Sequence, residues 1–244
     1  MQTLPKELLQ KSKGKILVLT GAGISAESGV PTFRGNDGLW KNYRAEDLAT
    51  SDAFARNPVL VWEWYIWRME LISQKEPNDA HYSLVELEKK HPNFLLITQN
   101  VDGLHGKAGS RKMKEIHGNI FRTKCISCKK IADVTSLPFS KIPPTCPDCG
   151  QNLRPNVVWF GENYDQTILA DCIREAESCD IVIIVGSSGS VGVPVYLAEV
   201  AKSSGAFVVE VNPEQSGFSH VAELSLQGTA CDTLPDLVKA LTEN

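Results

Sequence analysis

The sequence predicts an α/β fold built on one doubly wound parallel sheet, and two observations support this. Four short apolar runs, rich in β-branched residues, are typical of buried parallel strands; they cover residues 16–20, 94–98, 181–185 and 207–211. Helical stretches alternate with them, over residues 80–90 (capped by Asn78), 167–177, 195–203 and 234–241. Two inserts, residues 36–76 and 123–154, interrupt the alternation, and we expect neither to bury a core alone.

The first predicted strand runs directly into the glycine-rich segment GAGISA, which begins at Gly21. A strand that breaks into glycines brings bare backbone N–H groups up to a phosphate. The pattern is weak alone, because a tight turn into a helix looks the same. No second strand ending in an acidic residue follows, since residues 39–65 are aromatic and polar. The segment therefore indicates a nucleotide pocket that differs from the ordinary dehydrogenase plan.

Each of the other predicted strands also ends in a polar segment. The segments begin at Gln99, Gly186 and Asn212 and read QNVDGLH, GSSG and NPE. Any one of them is compatible with plain turn chemistry. Because ligands of open α/β sheets bind at the carboxyl ends of strands, we interpret the four together as one nucleotide cleft.

Composition excludes several classes of function. The chain has 244 residues, of which 42% are hydrophobic and 22% charged, as in ordinary globular proteins. A net charge of −4 and a pI of about 5.8 argue against a nucleic-acid binder, including a zinc-ribbon module of that kind. No apolar run reaches membrane-spanning length, and the first residues do not resemble a signal peptide. We expect a cytoplasmic protein with no membrane partner.

Four of the seven cysteines form two CxxC pairs, Cys125 with Cys128 and Cys146 with Cys149, separated by 17 residues. This spacing is typical of a zinc ribbon, although two disulfides or a redox dithiol remain as alternatives. Four thiolates leave zinc no open position for water, so the predicted site is structural. The other three cysteines are isolated and are expected to be buried thiols; they are Cys172, Cys179 and Cys231.

Taken in order, the motifs resemble those of the sirtuins, NAD-dependent protein lysine deacylases. They are GAGIS-x2-SG-x-P-x-FRG, TQN-x-DGLH, the HG at His117, the two CxxC pairs and VVWFGE, and they span about residues 15–231. The resemblance implies a large Rossmann-type domain made of residues 1–35, 77–122 and 155–244. It also implies a small domain made of a helical module, residues 36–76, and a zinc module, residues 123–154.

The resemblance further implies which residues bind NAD. Hydroxyls, backbone N–H groups and one arginine suit a pyrophosphate, while amide and carboxylate groups suit the carboxamide and the ribose. The implied set is Gly21, Ala22, Gly23, Ser25, Phe33, Arg34, Gln99, Asn100, Asp102, Gly186, Ser187, Ser188, Asn212, Glu214, Ala230 and Cys231.

By the same resemblance, His117, Asn100 and Asp102 are catalytic. The acyl oxygen of the modified lysine attacks the anomeric carbon of NAD, nicotinamide leaves, and His117 activates a ribose hydroxyl. An unperturbed imidazole titrates near neutrality and suits this role. The products are nicotinamide, O-acyl-ADP-ribose and free lysine. The peptide is expected to bind as an added strand between a loop near Gly189 and the segment that supplies Val158, Phe160, Gly161 and Glu162.

Tyr65 and Arg68 are the candidate residues for recognising the acyl group. They are three residues apart and therefore share one helix face. From the residues alone, Tyr65 packs in a core and Arg68 pairs with a surface glutamate such as Glu63. With Thr32 and Ala45, however, the YxxR arrangement resembles class III sirtuins, where this pair binds the carboxylate of succinyl- or malonyl-lysine. Three alternatives remain. The protein could act mainly as a deacetylase, as a protein ADP-ribosyltransferase that uses the same cleft, or as a catalytically silent acyl-lysine reader. Two departures from the family pattern are Asn156 and the run 186–194, which is one residue longer than usual.

Overall fold

The computed structural model describes residues 4–31, 43–137 and 139–243. Thr32, Phe33 and Arg34, which the sequence assigns to the substrate and cofactor sites, lie outside the described residues. No helix within the described ranges is long and apolar enough to cross a membrane.

The large sheet has six parallel strands and confirms the predicted fold class. In spatial order they are β3 (Met113–Glu115), β2 (Phe94–Thr98), β1 (Ile16–Thr20), β7 (Ile181–Val185), β8 (Phe207–Asn212) and β9 (Leu224–Gln227). All residues of β1 and β7 are buried, because neighbouring strands and helices cover both faces. The strand order reverses next to β1, so the sheet is doubly wound.

Helices cover the two faces of this sheet, and the residues of β1 alternate between them. Ile16 and Val18 face the core that is shared with α1 (Lys6–Lys11), α5 (Asp79–Lys90) and α9 (Ala230–Thr242). Leu17 and Leu19 face the core that is shared with α7 (Gln166–Glu177) and α8 (Gly192–Ser203). This alternation follows from the two-residue period of a strand.

A third core lies beside the large sheet and is built mainly from the first insert. The first insert supplies α2 (Ala45–Leu48), α3 (Ser51–Arg56) and α4 (Pro58–Ser73). The second supplies an antiparallel sheet of β4 (Gly118–Cys125), β5 (Ile131–Asp133) and β6 (Leu153–Val157), in the order β5-β4-β6. Trp62, Trp64 and Tyr65 of α4 pack in one cluster with Ile120 of β4 and Val157 of β6. The first insert therefore buries its core against the strands that lead into and out of the second insert, whose own residues, such as Phe139 and Leu153, are partly buried at its edge.

Two helices begin earlier than the sequence predicts. α9 starts at Ala230, four residues before the predicted start, because the Thr229 side chain caps it by accepting a hydrogen bond from the Asp232 N–H. α8 starts at Gly192, three residues before its predicted start. The short helix α6 (Leu104–Ala108) and the edge strands β3 and β9 were not predicted.

Candidate active site

The glycine segment after β1 lies directly against the loop after β7. The Gly21 N–H donates to the Val185 carbonyl at 3.0 Å, and the Gly23 N–H donates to the Gly186 carbonyl at 2.8 Å. A Cβ added to Gly21 would lie 2.7 Å from the Ser187 Cα. Only glycine allows the two loops to approach this closely. Residues Ala22–Ser25 continue as a single turn of 3-10 helix.

Side-chain amides connect the remaining strand ends at the same edge of the sheet. Gln99, after β2, donates from Nε2 to the Ser187 Oγ at 2.8 Å. Asn212, at the end of β8, donates from Nδ2 to the Ser187 carbonyl at 2.8 Å. Ser188 follows in the same loop, and its carbonyl accepts from the Gly217 N–H. Bare glycine backbone, hydroxyls and amides are thus gathered in one place, a donor set that fits a dinucleotide.

The first turn of α9 borders this cleft. Ala230 is buried there, and the Cys231 N–H donates to the Glu27 carboxylate at 3.1 Å, which joins the helix to the end of the glycine segment. Glu214 is exposed, two residues beyond β8.

A buried polar network joins Ser25 to the loop after β2. The Ser25 hydroxyl donates to the Asp102 carboxylate at 2.8 Å and accepts from the Asn100 Nδ2 at 3.2 Å. All three side chains are at least nine-tenths buried. Burial raises the pKa of Asp102, opposed by hydrogen bonds from the Leu104 N–H and Ser25. Two residues predicted to be catalytic are therefore held by one predicted to bind the cofactor.

Two buried histidines lie beneath this network. His81 of α5 and His105 of α6 have ring centroids 4.8 Å apart. The His81 Nε2 lies 3.4 Å from the Ser25 Oγ, and the His105 Nε2 lies 3.0 Å from the Thr20 Oγ1. Burial lowers the pKa of His81 to about 4 and holds that of His105 well below its ordinary value. Both rings are therefore neutral at neutral pH.

His117 lies between β3 of the six-stranded sheet and β4 of the three-stranded sheet. Its Nδ1 is 2.9 Å from the Gln99 carbonyl, and its Nε2 is 2.9 Å from the Tyr164 hydroxyl. Burial lowers the pKa of His117, and the Gln99 carbonyl partly opposes this. A neutral ring with one nitrogen fixed as a donor is suited to accept a proton at the other.

The predicted substrate segment continues directly from β6. The Val158 N–H donates to the His117 carbonyl at 2.9 Å, and the Phe160 N–H donates to the Ala49 carbonyl at 2.9 Å. The segment thus lies between His117, which is predicted to be catalytic, and the helical insert. Phe160 is half exposed, and Gly161 turns the chain with φ +82°.

Glu162 supports this segment through its own contacts. Its carboxylate pairs with Arg154 at 2.5 Å and accepts from the Ser51 hydroxyl and from the Trp159 N–H, at 2.8 and 2.9 Å. Burial acts to raise the pKa of Glu162, but these hydrogen bonds prevail and lower it. Its carboxylate therefore holds the shape of the segment.

Tyr65 and Arg68 lie on α4, one turn apart. The Tyr65 hydroxyl accepts from the Trp159 Nε1 at 2.9 Å, and the Arg68 guanidinium carbon is 5.0 Å from the centroid of the Trp64 ring. Burial raises the pKa of Tyr65 to about 12 and lowers that of Arg68. Asp102 also acts on Arg68 electrostatically, so this arginine of α4 lies within range of the loop after β2.

The four cysteines of the two CxxC pairs converge. Their Sγ atoms all lie within 4.8 Å of one another, with 3.4 Å between Cys125 and Cys149 and 3.7 Å between Cys128 and Cys146. Tetrahedral zinc with bonds of about 2.3 Å places its sulfurs about 3.8 Å apart. The residue after each second cysteine has positive φ, Lys129 at +64° and Gly150 at +71°. The cluster fits a structural zinc with four sulfur ligands.

Sequence reasoning did not identify Tyr164, Trp159 or Arg154, although each touches a predicted site residue. Arg154 stacks over the Trp159 ring, with its guanidinium carbon 3.3 Å from the centroid, and so orients the tryptophan that holds Tyr65. Trp159 is part of the VVWFGE motif, a signal that was available. No local pattern signalled Tyr164, which is 47 residues from His117.

Comparisons with known proteins agree with this geometry. The sequence model of the Sir2 family matches residues 21–193, more than half of the chain. An "NAD-dependent protein deacylase" of Leptospira interrogans serovar copenhageni is 54% identical, covering 98% of this chain and 99% of the relative. A protein of the same name from Aquifex aeolicus is 47% identical over 93% of this chain and 95% of its own.

Solved structures give the same result. One described as a Sir2 homolog–NAD complex superposes with a TM-score of 0.91 at 42% identity, covering 99% of this chain and 95% of its own. Another, described as Sir2–p53 peptide–NAD+, superposes with a TM-score of 0.83 at 33% identity, covering 96% and 95%. The chain therefore belongs to the Sir2 family and is an NAD-dependent protein deacylase.

Proposed function

We propose that this deacylase removes succinyl and malonyl groups from protein lysine side chains faster than acetyl groups. The observation that carries the proposal is the position of Arg68 and Tyr65. Tyr65 belongs to the core built around α4 and accepts a hydrogen bond from Trp159. Arg68 lies over the Trp64 ring and within electrostatic range of Asp102. An acyl chain that ends in a carboxylate would meet a desolvated guanidinium and a phenol hydroxyl there.

The strength of such a pair depends on its surroundings. Burial lowers the pKa of Arg68, which means that its charge has lost part of its hydration. A substrate carboxylate compensates for the lost hydration by accepting charge-assisted hydrogen bonds from the guanidinium, whereas an acetyl methyl group cannot. Truncating one partner of a buried charge pair typically costs about 2–5 kcal/mol. Discrimination between succinyl and acetyl substrates can therefore be large.

The chain's own residues have separate roles in this proposal. Bound NAD would supply an electrophilic sugar carbon that the acyl oxygen could attack, with nicotinamide as the leaving group. Ser25, Asn100 and Asp102 would position the nicotinamide ribose through their shared buried hydrogen bonds. His117 donates from Nδ1 to the Gln99 carbonyl, so Nε2 would accept the proton of a ribose hydroxyl. The cleft beside Gly186, Ser187 and Asn212 would hold the adenosine end.

The peptide is proposed to bind along the segment from Val158 to Glu162. A groove of about 760 Å³ lies at the end of this segment, between Phe160, Gly161 and Glu162 on one side and α2 and α3 on the other. The loop near Gly189, predicted as the other wall of the peptide site, is not among the residues that line it. A partner strand held by main-chain hydrogen bonds gains affinity with little demand on its own sequence. Broad protein targets are expected.

The test compares Arg68→Met and Tyr65→Phe with the unaltered enzyme on matched succinyl-, malonyl-, acetyl- and butyryl-lysine peptides. We expect Arg68→Met to lower kcat/KM for succinyl-lysine by at least roughly 30-fold, the equivalent of about 2 kcal/mol, and to change acetyl-lysine little. Butyryl-lysine has the chain length of succinyl-lysine without its distal carboxylate, so it reports any change in the shape of the acyl pocket. Arg174→Met, on the exposed face of α7, is the matched control.

An equal loss on all four peptides would make Arg68 a structural residue and would contradict the proposed preference. Full succinyl activity in Arg68→Met would contradict it directly. Nicotinamide release without loss of any acyl group would favour the ADP-ribosyltransferase alternative.

A further inference from the structure

The two ring nitrogens of His117 have different partners, and together these fix its tautomer. The Gln99 carbonyl, 2.9 Å from Nδ1, can only accept a hydrogen bond, so Nδ1 carries a proton. In the neutral ring Nε2 is then an acceptor. The Tyr164 hydroxyl, 2.9 Å from Nε2, must therefore donate to it. The nitrogen that would accept the substrate proton is already hydrogen-bonded in the free protein.

Tyr164 is held in place by the start of α7 and by packing against the sheet. The residue precedes Asp165, whose side chain caps α7 by accepting from the N–H groups of Thr167 and Ile168. The phenol ring packs against the core that α7 and α8 share with the sheet, with its centroid 5.5 Å from that of His117. Burial raises the pKa of Tyr164, so the phenol stays protonated and remains a donor at neutral pH.

The ionisable groups on the elements that flank His117 have partners of their own. Asp102, after β2, accepts from Ser25 and the Leu104 N–H, and Glu115 of β3 pairs with Arg122 at 2.7 Å. Glu162, in the segment that pairs with the His117 backbone, is bound by Arg154. Among the described residues, Tyr164 is thus the one whose side chain is hydrogen-bonded to the His117 ring.

We propose that Tyr164 is a positioning residue for His117, which holds Nε2 as a hydrogen-bond acceptor in the free enzyme and yields it to the ribose hydroxyl. A hydrogen bond donated to the neutral ring stabilises the neutral form, so the contact keeps His117 ready to accept a proton at lower pH. The inference rests on the proposed role of His117 as general base. It adds a residue that the sequence motifs did not supply.

The experiment compares Tyr164→Phe with the unaltered enzyme in two measurements. In the first, ¹⁵N-labelled histidine is titrated by NMR, with His117 assigned by comparison with His117→Gln. In the second, the pH profile of kcat/KM, which reports groups of the free enzyme, is measured on the preferred acyl peptide. Tyr82→Phe, an exposed tyrosine on α5, is the matched control. Tyr164→Met, which keeps an apolar side chain without the hydroxyl, is the second variant if Tyr164→Phe folds poorly.

We expect the unaltered protein to show the Nδ1–H tautomer and Tyr164→Phe to raise the pKa of His117 by roughly half to one unit, the worth of one hydrogen bond to the neutral ring. The acid limb of kcat/KM should move upward by the same amount, while the rate at high pH stays within about threefold. Tyr82→Phe should change neither.

An unchanged His117 titration in Tyr164→Phe would overturn the inference. So would a uniform loss of activity without a shift in pH, because that outcome describes packing alone. A shifted titration with an unmoved acid limb would instead overturn the general-base role of His117 and leave the contact with Tyr164 standing. The two failures are therefore distinguishable.

Discussion

At the scale of single residues, the glycines of the cleft are required by the packing of its loops on each other. Gly186 has φ +57°, and a Cβ at this position would lie 2.5 Å from the Ile24 nitrogen. The facing Gly23 donates to the Gly186 carbonyl and has no room for a side chain either. The sequence pattern was interpreted as a phosphate loop, but the same glycines are needed before any ligand arrives.

Gly186→Ala is predicted to destabilise the protein by about 2–4 kcal/mol, because it adds a left-handed alanine and a clash with backbone. Affinity for NAD should fall at least tenfold, since the loops after β1 and β7 move apart. Thermal melting and NAD titration calorimetry measure both effects. Gly192→Ala, at an open position in the first turn of α8, is the control and should change neither. Normal melting and normal NAD binding in Gly186→Ala would contradict this account.

At the scale of elements, the buried pair His81 and His105 joins α5 and α6 to each other and to β1. Their rings are in contact and reach Ser25 and Thr20, at the end of the first strand. Charging either ring inside the core would require hydration that the packing excludes. The contact therefore stabilises the fold only while both imidazoles are neutral.

Stability should fall between pH 7 and 4.5 partly because of this pair. The pKa of His81 is about 4 in the folded state and about 6.5 when unfolded, so the unfolded chain binds more protons below pH 6.5. The stabilisation that the neutral His81 ring contributes is complete above pH 6.5 and is lost as the pH falls toward 4. We expect His81 to account for a loss of about 2–3 kcal/mol over this range.

Urea unfolding at each pH measures the effect. His81→Gln should be less stable at pH 7 but should show a shallower fall with acid, because the titrating ring is gone. His220→Gln, an exposed histidine beside Glu199, is the control and should keep the slope of the unaltered protein. A slope unchanged by His81→Gln would show that other groups carry the acid dependence.

The sequence predicted these elements unevenly, for physical reasons. The strands β1, β2 and β7 matched their predicted bounds, because a strand buried on both faces must be apolar throughout. The edge strands β3 and β9 are three and four residues long and partly exposed, so their residues carry no such constraint. The cysteine spacing defined the metal cluster, since four ligands must meet at one point. Contacts between distant segments, such as Tyr164 with His117, leave no local pattern.

At the scale of the whole molecule, the two strands that carry the cysteine cluster adjoin residues that we propose belong to the active site. β4 begins at Gly118, immediately after His117, and β6 runs into Val158 of the substrate segment. The cysteine cluster lies at the far ends of these strands, from Cys125, the last residue of β4, to Cys149, four residues before β6. The metal is thus expected to hold both strands in register although it does no chemistry itself.

Cys149→Ser is predicted to lose zinc and to lower deacylase activity at least about 100-fold, because the strands that position His117 and Val158 lose their cross-link. NAD binding should be weakened less than tenfold, since the loops after β1, β7 and β8 belong to the other sheet. Zinc content by mass spectrometry, peptide assays and calorimetry distinguish these effects. Cys172→Ala, a buried thiol of α7 outside the cluster, is the control. Full activity in zinc-free Cys149→Ser would contradict this role.

The way the zinc module is attached also bears on how such a protein changes over evolutionary time. Gly118 pairs with Val157, so the two strands that carry the zinc module leave and return through adjacent antiparallel residues. The distance between the two attachment points, Gly118 and Val157, is therefore the spacing of two paired strands, however long the zinc module is. Loops between the cysteines can be lengthened, shortened or recharged by mutation while His117 and Val158 stay in place. New surface for contacts with other proteins can thus arise here without selection having to rebuild the catalytic cleft.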